Sequence, residues 1–539
     1  MNPIRHACLA TFALFLNSAA PAWADHLRDL QSKAMTDGRA PWGHWGANPE
    51  KYSGWTSHSN RLIPVYTFGI GLDAVAGEKS VYRDATRLET LYGRLPDYTH
   101  NPQAEYFDQT DVHALQAAAV AAGKKHVILI VFDGMDWQTI WAAAIHRAGA
   151  VEYCEGRGTG LAFQDYAAVE TAFGYCVTSP HNHGTPLDVN AQLVQNAGGV
   201  MPGGYDAARG GAAPWSACNP LYLISLTPDR LHAVTDSASS ATSLTAGIKT
   251  YNDAINVDWR GEQVAPLAHR LQAEGFAIGV VTSVPISHAT PACAYAHNVT
   301  RGDYQDITRD LIGLPSIAHR GQPLPGVDVL IGAGWGEIRE TDDGQGTNFM
   351  PGNRYLSDAD RAAVDAAHGG PYVVAQRTSG RVGREVLSDA ARHAAETNRR
   401  LLGFFGFSGS FSKGSSHLPF QTADGRHDPV AGANAAEVYT EADIAENPTL
   451  AEMTSAALTV LERDPQGFWL MIEAGDVDWA NHDNNLDNSI GAVLSGDEAF
   501  RAVVSWVESR DAWPDTAVIV TADRGHLLFL TRPEALVGE

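Results

Sequence analysis

The stretch His126-Val-Ile-Leu-Ile-Val-Phe132, running into Asp133-Gly134-Met135, decides the fold. A short, almost wholly apolar run of this kind reads as a strand covered on both faces, which is the habit of a parallel sheet. The run ends in a carboxylate followed at once by glycine. In an open α/β sheet the carboxyl ends of the strands are where ligands sit, and a carboxylate there suits a hard or borderline cation. An aspartate in this place also serves as an ordinary helix cap. Asp133 alone does not choose between the two.

Similar runs recur at 277–282, 327–331, 401–405, 468–472 and 516–521. Helical patterns fall between them. The clearest opens at Asn447-Pro448, an N-cap followed by proline at the first helical position, and then sets Leu450, Met453, Ala457, Val460 and Leu461 on one face. Strands alternating with helices predict a three-layer α/β/α sandwich around a mostly parallel central sheet. Two stretches break the rhythm: 151–230, rich in Gly, Pro, Asn and aromatics, and 340–380, polar and Gly-rich. Both read as surface insertions in a main domain spanning 121–539, with 25–120 as an N-terminal extension.

Composition is that of a globular protein, with 44% hydrophobic and 19% charged residues among 539. The first 24 residues read as an export signal. Arg5 and His6 precede an apolar stretch from Ala7 to Leu16, and Ala22-Trp23-Ala24 forms a small-x-small cleavage site. The apolar stretch falls short of the roughly 20 residues a bilayer requires, so no membrane span is expected. Export predicts a periplasmic or secreted protein. Removing the segment moves the formal charge from −24 to −25, which disfavours nucleic acid and anionic membranes as partners. Cys8 would leave with it, and the remaining Cys154, Cys176, Cys218 and Cys293 permit two disulfides in three pairings. A Cys154–Cys176 bridge is expected, since both lie in one Gly-rich segment, while Cys293 reads as a buried small residue on a helix.

Four further segments carry chemistry. In Thr235-Asp236-Ser237-Ala238-Ser239-Ser240, small residues allow a helix whose N-terminus lies at Ser237 and favours a bound anion. His288-Ala289-Thr290-Pro291 is followed eleven residues after Thr290 by Arg301, whose planar fork suits an oxyanion. Glu473-Ala-Gly-Asp476-Val-Asp478-Trp-Ala-Asn-His482 comes directly after the 468–472 run, and Asp478 and His482, four apart, share one helical face. That pair is reasonable zinc chemistry. The run 516–521 ends in Ala522-Asp523-Arg524-Gly525-His526.

In order and internal spacing these five segments resemble the alkaline phosphatase family over roughly residues 120–530. The resemblance implies a metal-dependent hydrolase of small-molecule phosphate monoesters that forms a phosphoserine on Ser237, with two Zn2+ and one Mg2+. It implies that Arg301 grips the phosphate and that Asp236 orients it. Asp478 and His482 would bind the first zinc and Asp523 the second. Asp133 would bridge the second zinc and the magnesium, which His288, Thr290 and Glu473 complete. A homodimer is compatible with the resemblance.

The departures are as specific as the matches. His288 stands where many bacterial members carry Asp, and imidazole suits transition metals better than magnesium. Arg524 stands where the family has a histidine, and a guanidinium has no lone pair for a metal. His526 lies two positions further on and needs a different backbone path. Family members normally run on and add one more histidine to the first zinc, whereas 527–539 holds neither His nor Cys. By this count two zinc-binding histidines are missing. An impaired or truncated homologue is therefore one competing reading, and a phosphodiesterase or sulfatase of the same superfamily is another. Asp133, Glu473, Asp478 and Asp523 against Arg301 leave a formal −3, which three divalent ions would turn to about +3.

Overall fold

A computed structural model describes residues 23–54, 57–409 and 416–538. Residues 1–22, nearly all of the segment read as an export signal, lie outside the described residues.

The centre of the molecule is a ten-stranded sheet. Its order is Tyr372–Gln376, Arg400–Phe404, Val329–Ala333, Ala277–Pro285, Phe468–Ala474, His126–Phe132, Thr516–Ala522, Ile63–Phe68, Thr171–Val177 and Phe107–Asp108. The first seven run parallel to one another. Ile63–Phe68 is antiparallel to both of its neighbours. Helices Trp137–Ala148, Leu450–Leu461 and Leu486–Glu508 pack together on the sheet, and Thr110–Ala121, Ser237–Ala246 and Ala289–Cys293 form another packed group. The expected α/β/α sandwich is what the chain forms, and all six apolar runs are strands within it.

The three central strands share one phase. Phe468 lies opposite His126 and Ala474 opposite Phe132, while on the other side Thr516 lies opposite His126 and Ala522 opposite Phe132. They therefore end level, and Asp133, Asp523 and the Asp476–His482 helix leave the sheet at one edge.

Some elements differ from the sequence reading. Leu450–Leu461 is capped by Thr449, not Asn447: Thr449 and Glu452 form a capping box, while Asn447 Oδ1 accepts from Gly406 N at 2.7 Å. The predicted apolar face is buried throughout. Tyr372–Gln376, inside a stretch read as an insertion, is the edge strand of the main sheet, and Thr171–Val177 belongs to that sheet as well. The Cys154–Cys176 bridge is absent, and all four cysteines among the described residues are free. Pairing of Cys176 with Ile63 in the sheet buries it, while Cys154 is exposed in a loop. Cys293 is buried, as read, in the helix Ala289–Cys293. Among the described residues no helix is long and apolar enough to cross a membrane.

The segment before residue 120 is woven into the sheet. Besides Ile63–Phe68, its residues Gly43–Trp45 pair with Leu528–Leu530, and His58–Ser59 pair with Gly525–His526. Arg61 fastens this layer. Its Nη1 lies 3.0 Å from Asp136 Oδ2 and also donates to Leu528 O, both charged side chains being buried. Asp136 in turn caps the Trp137–Ala148 helix, accepting from Gln138 N and Thr139 N. Breaking a buried pair leaves an uncompensated charge at a cost of roughly 3–5 kcal/mol. Arg61→Met is expected to lose about that much stability in urea denaturation, and Arg61→Met with Asp136→Leu should recover part of it. A single variant within about 1 kcal/mol of the parent would show that this pair does not hold the N-terminal layer in place.

Candidate active site

Strand His126–Phe132 delivers Asp133 to the carboxyl edge, and Gly134 turns the chain there with φ +72°. A Cβ at Gly134 would sit 2.9 Å from the His526 ring and 3.0 Å from Asp478 Cα, so glycine permits both the turn and the approach of two other segments. Gly134 N donates to Asp523 Oδ1 at 2.9 Å, and Asn481 Nδ2 donates to Gly134 O at 2.8 Å. One tight turn thus ties three strand ends together.

Ser237 is the first residue of the helix Ser237–Ala246 and is fully buried. Asp236 caps that helix, its Oδ1 accepting from Ser239 N at 2.9 Å. Asp236 Oδ2 lies 3.3 Å from Arg301 Nη1, and Arg301 Nη2 lies 3.3 Å from His288 Nε2.

Asp478 and His482 do lie on one face of the helix Asp476–His482, with His482 Nε2 3.4 Å from Asp478 Oδ1. Two more imidazoles join them. His526 Nε2 lies 2.7 Å from Asp478 Oδ1, and His58 Nε2 lies 3.9 Å from that oxygen and 3.1 Å from His482 Nε2. The short ladder between His58–Ser59 and Gly525–His526 places both rings, with His58 directly opposite His526. The ligand set read as one histidine short is therefore four-membered in space, completed from the opposite end of the chain. No motif around His58 marks it in the sequence; its long-range pairing alone brings it here. His58 Nδ1 faces Thr235 O at 3.1 Å, and donating there leaves the lone pair on Nε2 toward the cluster. Ligand atoms of these four residues lie within 4.8 Å of one another.

Asp133, His288 and Glu473 form a second group with the same spread. Asp133 Oδ2, Glu473 Oε1 and Thr290 Oγ1 are buried without a hydrogen-bond partner, and Asp133 Oδ1 has only an ion pair with Arg524. Buried oxygens are ordinarily satisfied, and a cation would satisfy them. Both groups fit metal ions.

The position between Asp133, Ser237 and Asp523 does not. Arg524 is 1% exposed and lies in it. Its Nη1 is 3.0 Å from Asp133 Oδ1 and 2.9 Å from Asp478 Oδ1, its Nε is 3.7 Å from Asp523 Oδ2, and its Nη2 donates to Ser237 Oγ at 2.6 Å. With Arg524 included, four carboxylates and two guanidiniums leave a formal −2, a correction to the count without it.

The electrostatics arise from burial and neighbours. Burial raises the Asp133 carboxyl well above its usual range despite Arg524, and burial lifts Glu473 to about 8. For Asp478, burial is outweighed by Arg524 with His482 and His526, which hold it well below the carboxylate range. Burial, then Arg301, lowers His288 to about 3; burial lowers His526 to about 4 against its hydrogen bond to Asp478; burial and Arg524 hold His58 well below its ordinary value. Neutral imidazoles and an ionised Asp478 are the protonation states that metal ligands require.

All ten residues singled out from the sequence meet at this one edge. A mostly parallel α/β sheet here gathers imidazoles, carboxylates and the serine that opens a helix at its carboxyl end, where ligands bind in open α/β sheets. The chain belongs to the alkaline phosphatase family, whose model, described as "Alkaline phosphatase", matches residues 223–535. It is 27% identical over 291 residues to alkaline phosphatase 3 of Bacillus subtilis (strain 168), covering 54% of this chain and 49% of that protein. It is 30% identical over 309 residues to the alkaline phosphatase of Escherichia fergusonii (56% of this chain, 60% of that one). The match thus spans about half to three fifths of these curated relatives' length. Among solved structures, the Thermus thermophilus alkaline phosphatase aligns over 75% of this chain and 60% of its own, at 22% identity and a TM-score of 0.43.

The arrangement makes His58 testable as a ligand. Loss of an outer partner of a metal ligand typically lowers affinity about 10–100-fold, and His58→Ala should exceed that in competition titration with zinc. Unchanged affinity would remove His58 from the set.

Proposed function

We propose that this chain hydrolyses phosphate monoesters of small molecules to an alcohol and inorganic phosphate, through a phosphoserine on Ser237. The supporting observation is the setting of Ser237: buried, first in its helix, in hydrogen-bond contact with Arg524, and next in sequence to the Asp236 that pairs with Arg301. A helix N-terminus and two guanidiniums make this a place for an anion despite the negative net charge of the chain. Family membership supports the same chemistry.

In this reading the Ser237 oxygen forms a bond to phosphorus while the bond from phosphorus to the alcohol oxygen breaks, and the alcohol leaves with a proton. Water then attacks the phosphoserine, phosphate departs, and Ser237 regains its proton. Arg301 presents a planar fork to two non-bridging oxygens, and Asp236 holds that fork in place. Ions held by His58, Asp478, His482 and His526, and by Asp133, His288, Thr290 and Glu473, would supply Lewis-acid charge to entering and leaving oxygens. His288 in the second set favours a transition metal over magnesium there. A serine, in place of the Thr or modified Cys common among superfamily diesterases and sulfatases, favours monoesters. If residues 1–24 direct export, the reaction takes place in the periplasm or outside the cell.

Ser237→Ala should abolish covalent labelling by a radioactive phosphate monoester and lower kcat/KM by about 10³-fold or more, in line with nucleophile deletions elsewhere. A labelled phosphoenzyme persisting in the variant would overturn the assignment.

A further inference from the structure

We propose that the Arg524 guanidinium is the resident cation of the second metal position, so that Ser237 is held by a fixed organic charge and the reaction centre carries one ion fewer than the family pattern implies. The inference rests on the function proposed above for its catalytic meaning, though not for its geometry.

Three observations carry it. First, Arg524 contacts the groups that a second zinc would have to contact, namely Asp133, Asp523 and Ser237, and in addition Asp478. A divalent ion could enter only after the guanidinium had been expelled from three carboxylates. Second, the Asp523 oxygens are arranged differently from those of Glu473 and Thr290 in the metal-fitting group. Asp523 Oδ1 already accepts from Gly134 N at 2.9 Å and Oδ2 from Ser240 Oγ at 3.1 Å. Glu473 and Thr290, in the neighbouring group, keep buried oxygens without a hydrogen-bond partner. Each Asp523 oxygen thus has a neutral donor, with Arg524 Nε 3.7 Å from Oδ2, whereas Glu473 and Thr290 keep oxygens that an ion would satisfy. Third, the position offers no imidazole, since the nearest candidate in sequence, His526, is committed to Asp478 at 2.7 Å. A guanidinium supplies one positive charge and several directed donors, so it can hold Ser237 Oγ and contact two carboxylates at once, offsetting one of their charges. It stays in place when metal is scarce.

Zinc-edge anomalous diffraction from zinc-soaked crystals of the whole chain tests this by position. The expected map has a peak among His58, Asp478, His482 and His526 and none within bonding distance of both Ser237 Oγ and Asp523. Arg524→His should add a peak there, about 4 Å from the first, with metal analysis rising by about one zinc per chain. A wild-type ion bonded to Ser237 and Asp523, with Arg524 swung away, would overturn the proposal even if the variant fails to fold. A wild-type map as expected, in protein without phosphatase turnover, would defeat the proposed function and leave the Arg524 assignment standing.

A separate cluster carries an independent inference. Asp310, fully buried on the helix Tyr304–Ile312, accepts from His297 N at 3.1 Å through Oδ2, and its Oδ1 lies 2.9 Å from His319 Nδ1. His297 is 4% exposed; its Nε2 faces Val264 O at 3.2 Å, and its Nδ1 is buried without a partner. Ligand atoms of the three lie within 4.8 Å of one another. With Nε2 donating to Val264 O, the His297 Nδ1 is left as a bare lone pair facing the cluster. We infer that His297, Asp310 and His319 hold a zinc-class ion that pins the chain around residue 319 to this helix. The same zinc maps should show a peak here that disappears in His319→Ala while the His58 peak remains. In solution, zinc should raise the Tm of His58→Ala more than that of His58→Ala with His319→Ala. No peak at this triad, or equal Tm responses, would overturn the site.

Discussion

The constraint on which the site depends is the common phase of three parallel strands. Hydrogen bonds along His126–Phe132 fix both of its neighbours residue for residue, so Phe132, Ala474 and Ala522 form one row. The groups just beyond that row are then forced together, favourably or not: Asp133, the helix with Asp478 and His482, and Asp523. A one-residue slip would turn each side chain to the opposite face. The apolar burial of these strands, complete from Val127 to Phe132, is the large favourable term that holds the acids together.

That grouping creates an electrostatic problem which the rest of the edge answers. Four buried carboxylates brought together at one strand edge cannot all remain ionised without counter-charge. Arg524 offsets part of it, and the directions of the shifts show where. Asp478, with Arg524 and two imidazoles close by, is held ionised, whereas Glu473, lacking a direct guanidinium contact, is raised to about 8. The orphan oxygens of Asp133, Glu473 and Thr290 mark the remaining unmet demand for positive charge. An arginine at this depth is thus a counter-charge supplied by the chain itself, beside two groups of side chains whose geometry fits metal ions.

The legible part of this architecture was its local part. Six apolar runs, the Asp236–Ser237 cap and the four-residue step from Asp478 to His482 each declare themselves within a short window, and each is found as read. The edge strand Tyr372–Gln376 and the interior strand Ile63–Phe68 were not legible, because they are short and mixed in polarity, and the second contains Pro64. The Asn447 cap failed for a related reason: Thr449 competes for the same helix end with a reciprocal capping box, and Asn447 serves a tertiary contact to Gly406. The disulfide reading treated proximity in sequence as proximity in space, and the pairing of Cys176 with Ile63 settles that differently.

His58 shows why counting ligands along a sequence undercounts a site. It sits more than four hundred positions from His482, in a stretch with no metal-like spacing, and a two-residue antiparallel ladder brings it opposite His526. The same N-terminal segment supplies Ile63–Phe68, which runs antiparallel to the strand carrying Asp523. Strand and imidazole arrive together because they belong to one continuous piece of chain, and Arg61 between them locks that piece to Asp136. What a sheet requires at a given edge is a strand of the right direction and a ring at the right height. Either end of the chain can supply both, since hydrogen bonding between neighbouring strands does not depend on which of them is made first.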